Sequence, residues 1–509
     1  MSLLYQGSEW NFDTLKRVYD TVEEIALGEL GLEVYPTQIE VITAEQMLDA
    51  YASVGLPLMY RHWSFGKHFV RNEALYRTGQ QGLAYEIVIN SDPCICYVME
   101  ENSMTMQALV IAHAAFGHNH FFRNNQVFRQ WTDAKGILDY LAFARDFVAR
   151  CEERHGIEAV ERVLDAAHAL QTQGVNRYAR RPKRSLVEEL ARKDERRSYV
   201  EAMWNPLWTT VPGRDRKADP KTPEAPQADL EGQRQIELPE ENLLYFFEKH
   251  SPSLAGWQRE ILRIVRVMSQ YFYPQRQTKV MNEGCATYVH YRIMTRLHEL
   301  GRISDGAYLE FLHSHTSVIS QPDFNSPRYS GINPYALGFA MMQDIERICS
   351  EPTAEDRAWF PDIAGNGRPM ATLREVWAEF RDESFILQFL SPKVIRDFRL
   401  MHLTDEADLP HLEVTAIHDE QGYRAIRAAL AAEYECARLD PEIQVVAVDL
   451  PGDRRLTLEH RIHDGRRLDP ATRDRTLAYV RALWDYPVSL KETDARTGTI
   501  LPNGETDLD

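Results

Sequence analysis

The chain has 509 residues, with 58 Lys and Arg against 76 Asp and Glu, a formal charge of −18, and 44% hydrophobic residues. That much apolar material buries a large core, which excludes a disordered chain and suggests two to four domains. The acidic balance disfavours nucleic acid and anionic lipid surfaces as bulk partners.

The first residues, MSLLYQGSEWNFD, show no basic start followed by an apolar stretch, and the apolar run 108–116 is short and carries His113. No secretory signal or membrane span is therefore expected, and a cytoplasmic location is. The segment 13–28 spaces Leu15, Val18, Tyr19, Val22 and Ile25 three or four apart, which predicts a helix. LAYEIVIN (83–90) and CICYVME (94–100) read as two strands joined at Ser91-Asp92-Pro93, a hairpin. Helical spacing then covers 104–116 and 134–171. Residues 177–197 hold nine Lys/Arg against four Asp/Glu, either a solvated helix face or a docking surface for an acidic partner. Five prolines between 212 and 241 predict a linker or long surface loop. A second helical block spans 241–397, with helices at 256–271 and 278–300, Pro274 breaking between them and Gly301 ending the second. The tail reads β-α-β-β-α-β from 411 to 493, and the last dozen residues are expected to fray.

These elements predict an α+β fold: a mainly helical core with a small N-terminal hairpin or sheet, plus a small C-terminal α/β domain. The expected parts are 1–175, a basic and Pro-rich connection 176–240, a helical part 241–400 packing on the first as one core, and 405–495. The six cysteines, at 94, 96, 151, 285, 349 and 436, lack the spacing of a disulfide framework or a cysteine-only zinc site and are expected as buried thiols.

The chemistry concentrates in two segments. HAAFGHNHFF places His113, His118 and His120 together, with His113 on the apolar face of Leu109 and Phe116. His113 could simply be a core residue. His118 follows it by five residues, about 140° round a regular α-helix, so the two rings converge only if the helix breaks or bulges near Gly117. In KVMNEGCATYVHYRIM, Glu283, Thr287 and His290 fall on one helical stripe. Gly284 beside them costs about 1 kcal/mol of helix propensity and permits a close backbone approach. A buried Glu283 bonded to a Tyr or Arg is the plain alternative. His120, Thr287 and Tyr288 are secondary candidates. Glu86, a charge in a strand-like run, is either a general base or the outward face of the hairpin. His62, Lys67 and His68 in HWSFGKH read as a loop anchored by Trp63. His313 and His315 would share a face only on a strand. Arg381, Asp382 and Glu383 read as local ion pairs. Walker, dinucleotide and G-x-S-x-G motifs are absent.

N-E-G-x-A-x-Y resembles the segment that supplies the carboxylate ligand in gluzincin aminopeptidases. The H-E-x-x-H of those enzymes is missing: Ala114 follows His113, and Gly117 holds the i+4 position. A wider resemblance rests on YPTQIEVITAEQMLDAY, GLPLMYRHWSFGK, GLAYEIVINSDP, ALVIAHAAFGHNHFFRNN, YFYPQRQTKVMNEGCATYVHYRIM, NPYALGF, WFPDIAG and FRDESFILQFLSP. On these stretches the chain is identified as a member of the SpoVR family. The resemblance implies a cytosolic bacterial protein tied to spore cortex formation or to stationary-phase stress. It implies a PrkA-like serine kinase and a von Willebrand-factor-A-like protein as partners, and it supplies no mechanism.

Three readings follow. In the first, His113, His118 and Glu283 hold one divalent ion, zinc first and iron second. Glu86 or His290 then serves as base or orienter, and the protein hydrolyses a peptide or peptidoglycan-precursor amide. In the second, the protein is a non-catalytic regulator or scaffold that docks those partners through 177–197, 212–241 and the C-terminal unit. In the third, it is a self-associating structural component of spore or stress assemblies.

Overall fold

In the computed structural model, which describes residues 2–52, 59–63, 86–177, 238–404, 413–463 and 465–508, the chain first becomes regular at Asn11. The Asn11 side chain accepts the Thr14 N–H and starts α1 (Phe12–Glu23), which turns Leu15, Val18 and Val22 inward and continues as a π-helical turn, Glu24–Glu29. The described chain divides into two units: residues 1–155 with 270–439, and 156–269 with 440–509.

In the first unit, β1 (Thr37–Ile42), β2 (Glu86–Ile89) and β3 (Cys94–Met99) form a sheet of order β1-β3-β2. The expected hairpin is β2-β3, antiparallel, with Glu86 opposite Val98. The Ser91 hydroxyl donates to the Pro93 carbonyl at 2.6 Å across its turn. β1 adds in parallel on the other side of β3, a pairing that no local pattern announces. From the sheet the chain enters α2 (Met104–Val110), a π-helical turn Ile111–His118, and α3 (Asn119–Asn124), all one continuous helix.

The stretch 134–171 is two helices, Ile137–His155 and Ile157–Ala169. They part at Gly156, whose φ of +85° suits a residue without Cβ. Pro274 does not break the helix that carries it, which runs as α4 (Gly256–Gln277). A proline removes one i→i−4 bond, and the chain turns only at Thr278, whose hydroxyl donates to the Pro274 carbonyl at 2.7 Å.

α5 (Lys279–Glu299) follows and ends before Gly301 at φ +64°, as the spacing predicts. Around it lie α6 (Asp305–Val318), α7 (Pro334–Ser350), α8 (Pro369–Glu379) and α9 (Asp382–Phe389). α5 is the axis of this unit, with thirteen of its residues buried. Glycines let its neighbours close in. A Cβ on Gly284 would lie 2.6 Å from the Gly338 Cα of α7, and one on Gly117 would lie 2.5 Å from the Ala286 Cα. Residues 284 and 286 are about 200° apart on the helix, so α7 and the π-turn press on opposite faces of α5. Asp382 is not in a local ion pair. Its two oxygens accept the Val280 and Met281 N–H groups at 2.8 and 2.9 Å, capping α5, while Arg381 pairs with Glu383 at 3.1 Å.

β5 (Glu413–Ala416) pairs with β4 (His402–Thr404), and α10 (Glu420–Glu433) adds Tyr423, Ile426 and Leu430 to the first unit's core. The first β-α of the C-terminal series thus belongs to this unit and not to the last sheet.

The second unit carries that sheet, β6 (Glu442–Val448), β7 (Leu456–Ile462), β8 (Val488–Asp494) and β9 (Ile500–Leu508), in that order. β7 alternates buried and half-buried residues, and the parallel step from β7 to β8 crosses through α11 (Pro470–Trp484). The final residues do not fray. The Asp494 side chain accepts the Arg496 and Thr497 N–H groups at 2.9 and 2.8 Å, which turns the chain back into β9, antiparallel to β8.

All six cysteines are free and buried. Lys67, His68 and the stretches 178–197 and 212–237 lie outside the described residues. Among the described residues, no helix is long and apolar enough to cross a membrane.

Candidate metal centre

His113 and His118 converge because the helix that carries them widens. Within Ile111–His118 the bonding pattern is that of a π-helix, and the Asn119 N–H reaches the Ala114 carbonyl five residues back. The extra residue per turn brings positions five apart onto one side, and the two imidazoles meet edge to face at 4.6 Å between centroids. Gly117 is what permits the contact with α5, since a side chain there would collide with Ala286. The condition set by the sequence, a bulge near Gly117, is met by this turn.

Glu283 reaches the same spot from α5 and Glu86 from β2. The His118 Nε2 lies 3.5 Å from Glu283 Oε2, and the His113 Nε2 lies 3.7 Å from Glu86 Oε1 and 4.0 Å from Glu283 Oε2. One donor atom each from Glu86, His113 and His118 fall within 4.8 Å of one another. These separations exceed hydrogen-bond length. They suit ligand-to-ligand edges around one ion, since bonds of about 2.1 Å give tetrahedral edges of about 3.4 Å. Glu283 Oε2 is buried and has no hydrogen-bond partner among the described residues. A carboxylate oxygen left so is costly unless a cation faces it. Imidazole and carboxylate donors gathered in this way could hold a metal ion.

The other ring nitrogens are committed elsewhere. His118 Nδ1 lies 2.9 Å from Asn282 Oδ1, and His113 Nδ1 lies 2.8 Å from His290 Nδ1. His290 Nε2 in turn lies 2.9 Å from His315 Nδ1. Phe122 stacks on His118 and Tyr335 on His113. The histidine side chains are 5% and 9% exposed and both glutamates 18%, so the carboxylates form the wetter side of the cluster.

Burial and the neighbouring Glu283 charge push the Glu86 carboxyl up to about 8. Burial first, then the adjacent imidazoles, hold His113 well below the ordinary histidine value, and burial and His315 do the same to His290. Burial alone lowers His315 to about 4. Burial also raises Asp382 to about 7, against the Val280 and Met281 N–H groups it accepts at the start of α5.

The structure thus brings together Glu86, His113, His118 and Glu283 and sets His290 behind His113. Thr287 is buried on the Glu283–His290 stripe, its hydroxyl without a partner among the described residues. His120 is elsewhere: its Nδ1 lies 3.0 Å from the Glu33 N–H, and its ring meets Trp377. Tyr288 also points away, donating to Glu346 at 2.8 Å. His62 is buried and His313 exposed on α6, neither at the centre. Asn282, which takes part through His118, is the residue that sequence reasoning passed over. It sits beside Glu283 in the quoted segment, but the stripe argument favours positions three, four and seven apart. His315 was singled out for a strand geometry, and on a helix it reaches His290 instead.

Residues 9–439 match the family described as SpoVR like protein, and residues 441–495 match the SpoVR-like C-terminal domain. The uncharacterized protein YcgB of Escherichia coli (strain K12) is 54% identical over 489 residues, 96% of this chain and 94% of that protein. No solved structure matches the chain.

Proposed function

The chain belongs to the SpoVR-like family, and from the geometry of its buried centre we propose that it is a metal-dependent hydrolase of an amide bond. The observation that carries the proposal is the orphaned Glu283 Oε2, 3.5 and 4.0 Å from the Nε2 atoms of His118 and His113, with Glu86 Oε1 3.7 Å from the His113 Nε2. His113, His118 and Glu283 hold the ion. When bound, a zinc or iron ion supplies Lewis acidity and lowers the pKa of water towards neutrality.

Glu86, on β2, takes the proton of the attacking water, then returns it to the leaving amine. It replaces the glutamate that H-E-x-x-H enzymes carry on the helix itself. Asn282 fixes the ring of His118, and the buried histidines keep bulk water from the far side of the centre. The cortex role implied by the family resemblance points to a peptide or peptidoglycan-precursor amide as substrate.

Elemental analysis of the purified full chain tests the reading. One equivalent of zinc or iron is expected in the parent, and a tenfold or larger loss in His113→Ala and Glu283→Ala. Glu86→Gln should keep the ion and lose amine release from muropeptide substrates by at least a hundredfold. A parent without stoichiometric metal removes the proposal. A loaded parent that releases no amine removes the hydrolytic step and favours the non-catalytic role beside a PrkA-like kinase and a von Willebrand-factor-A-like protein.

A further inference from the structure

Behind the metal centre runs a row of three buried imidazoles from three elements: His113 on the π-turn, His290 on α5 and His315 on α6. Their contacts are 2.8 Å from His113 Nδ1 to His290 Nδ1, and 2.9 Å from His290 Nε2 to His315 Nδ1. A neutral imidazole has one donor and one acceptor nitrogen, so a row joined in this way must point in one direction throughout.

We infer that the row points away from the metal. His113 donates from Nδ1 to His290, and His290 donates from Nε2 to His315. His290 and His315 then act as positioning residues that keep the His113 Nε2 lone pair aimed at the ion. The inference rests on the metal reading above.

The geometry at Nε2 selects this direction. The His113 Nε2 is 3.7 and 4.0 Å from the nearest carboxylate oxygens, too far to donate a hydrogen to either. Aromatic side chains enclose the row. Phe311 meets the His290 ring edge to face at 5.9 Å, and Tyr291 and Phe339 lie 5.1 and 4.8 Å from the His315 ring. A ligand histidine that donates its second N–H to a strong acceptor binds metal more tightly, and loss of such a partner costs roughly tenfold to a hundredfold in affinity.

The test is a Co(II) titration of the full chain, read by the visible ligand-field band, for the parent, His315→Phe and His315→Gln. The Phe variant removes the acceptor for His290 and should bind Co(II) at least tenfold more weakly, with a shifted band. The Gln variant keeps an acceptor oxygen and should return to within about threefold of the parent. Equal binding by the Phe variant, at an unchanged melting temperature, overturns the inference while leaving the metal reading intact. A parent that binds no Co(II) sinks the metal reading instead. Should the Phe variant not fold, nitrogen-15 histidine spectra of the parent, readable with or without metal, decide the matter. Protons on His113 Nδ1, His290 Nε2 and His315 Nε2 are expected, and the reverse pattern overturns the row.

Discussion

Glu86 and Glu283 bring two carboxylates into one largely buried pocket, and that has a measurable cost in the metal-free protein. The folded Glu86 titrates near 8. An unfolded Glu titrates near 4.3. Below about pH 4 both states hold the proton and Glu86 exerts no penalty. As pH rises from about 4 to 8 only the unfolded chain releases it, so stability falls across that window and levels off above pH 8. With the side chain still 18% exposed, a penalty of about 2 kcal/mol at pH 8 is reasonable. Glu86→Gln in metal-free protein should therefore equal the parent near pH 4 and exceed it by about 2 kcal/mol at pH 8, read from urea midpoints. A constant difference across pH would place the Glu86 carboxylate outside the shared pocket. Asn282 gives a second residue-scale outcome. Asn282→Leu removes the acceptor at His118 Nδ1 and should weaken Co(II) binding about tenfold with little change in the melt.

The centre depends on two elements pressed closer than side chains allow. An alanine Cβ at 117 would sit 2.5 Å from the Ala286 Cα, so Gly117→Ala must drive the π-turn and α5 apart. Overpacking of this kind costs about 1–3 kcal/mol. It also moves His118 away from Glu283, so a lower melting temperature and lost metal retention are expected together. Gly28→Ala, in the other π-turn with open space around it, is the control and should change neither. If Gly117→Ala kept its metal, the close approach would not be what assembles the centre.

These elements also show what could be read from the sequence and what could not. The Glu283–His290 stripe was legible because helical spacing is local, and the β2-β3 hairpin because its turn residues sit between two β-rich runs. The His113–His118 convergence was legible only as a condition. A π-turn differs from an α-turn by one inserted residue, and the Ala286 against which Gly117 packs lies far along the chain. The parallel β1 pairing, the Asp382 cap on α5 and the His315 contact are likewise long-range, so residue spacing carried no trace of them. β9 was misjudged for a different reason: Gly, Asp and Thr near the end mark a tight turn as readily as a frayed tail.

At the scale of the whole molecule, the proposed ligands come from the π-turn and α5 and the proposed base from β2, three segments separated by up to almost two hundred residues and all within the first unit. An ion held between the π-turn and α5, beside Glu86, binds the native arrangement and not the opened one. At a free concentration a hundredfold above Kd it stabilises that arrangement by about 2.7 kcal/mol, which slows any exchange requiring the segments to part by about a hundredfold. The formal charge of −18 raises an objection, because divalent ions gather around an acidic chain without any site. The two effects differ in where they fall. Hydrogen exchange of the full chain, with and without zinc, should show slowed exchange in 86–89, 111–118 and 279–299 and unchanged exchange in β6 to β9. Glu283→Ala should abolish the slowing at the same zinc concentration and ionic strength. Protection spread evenly over both units, or persisting in Glu283→Ala, would assign the ion to the charged surface and leave the buried cluster without one.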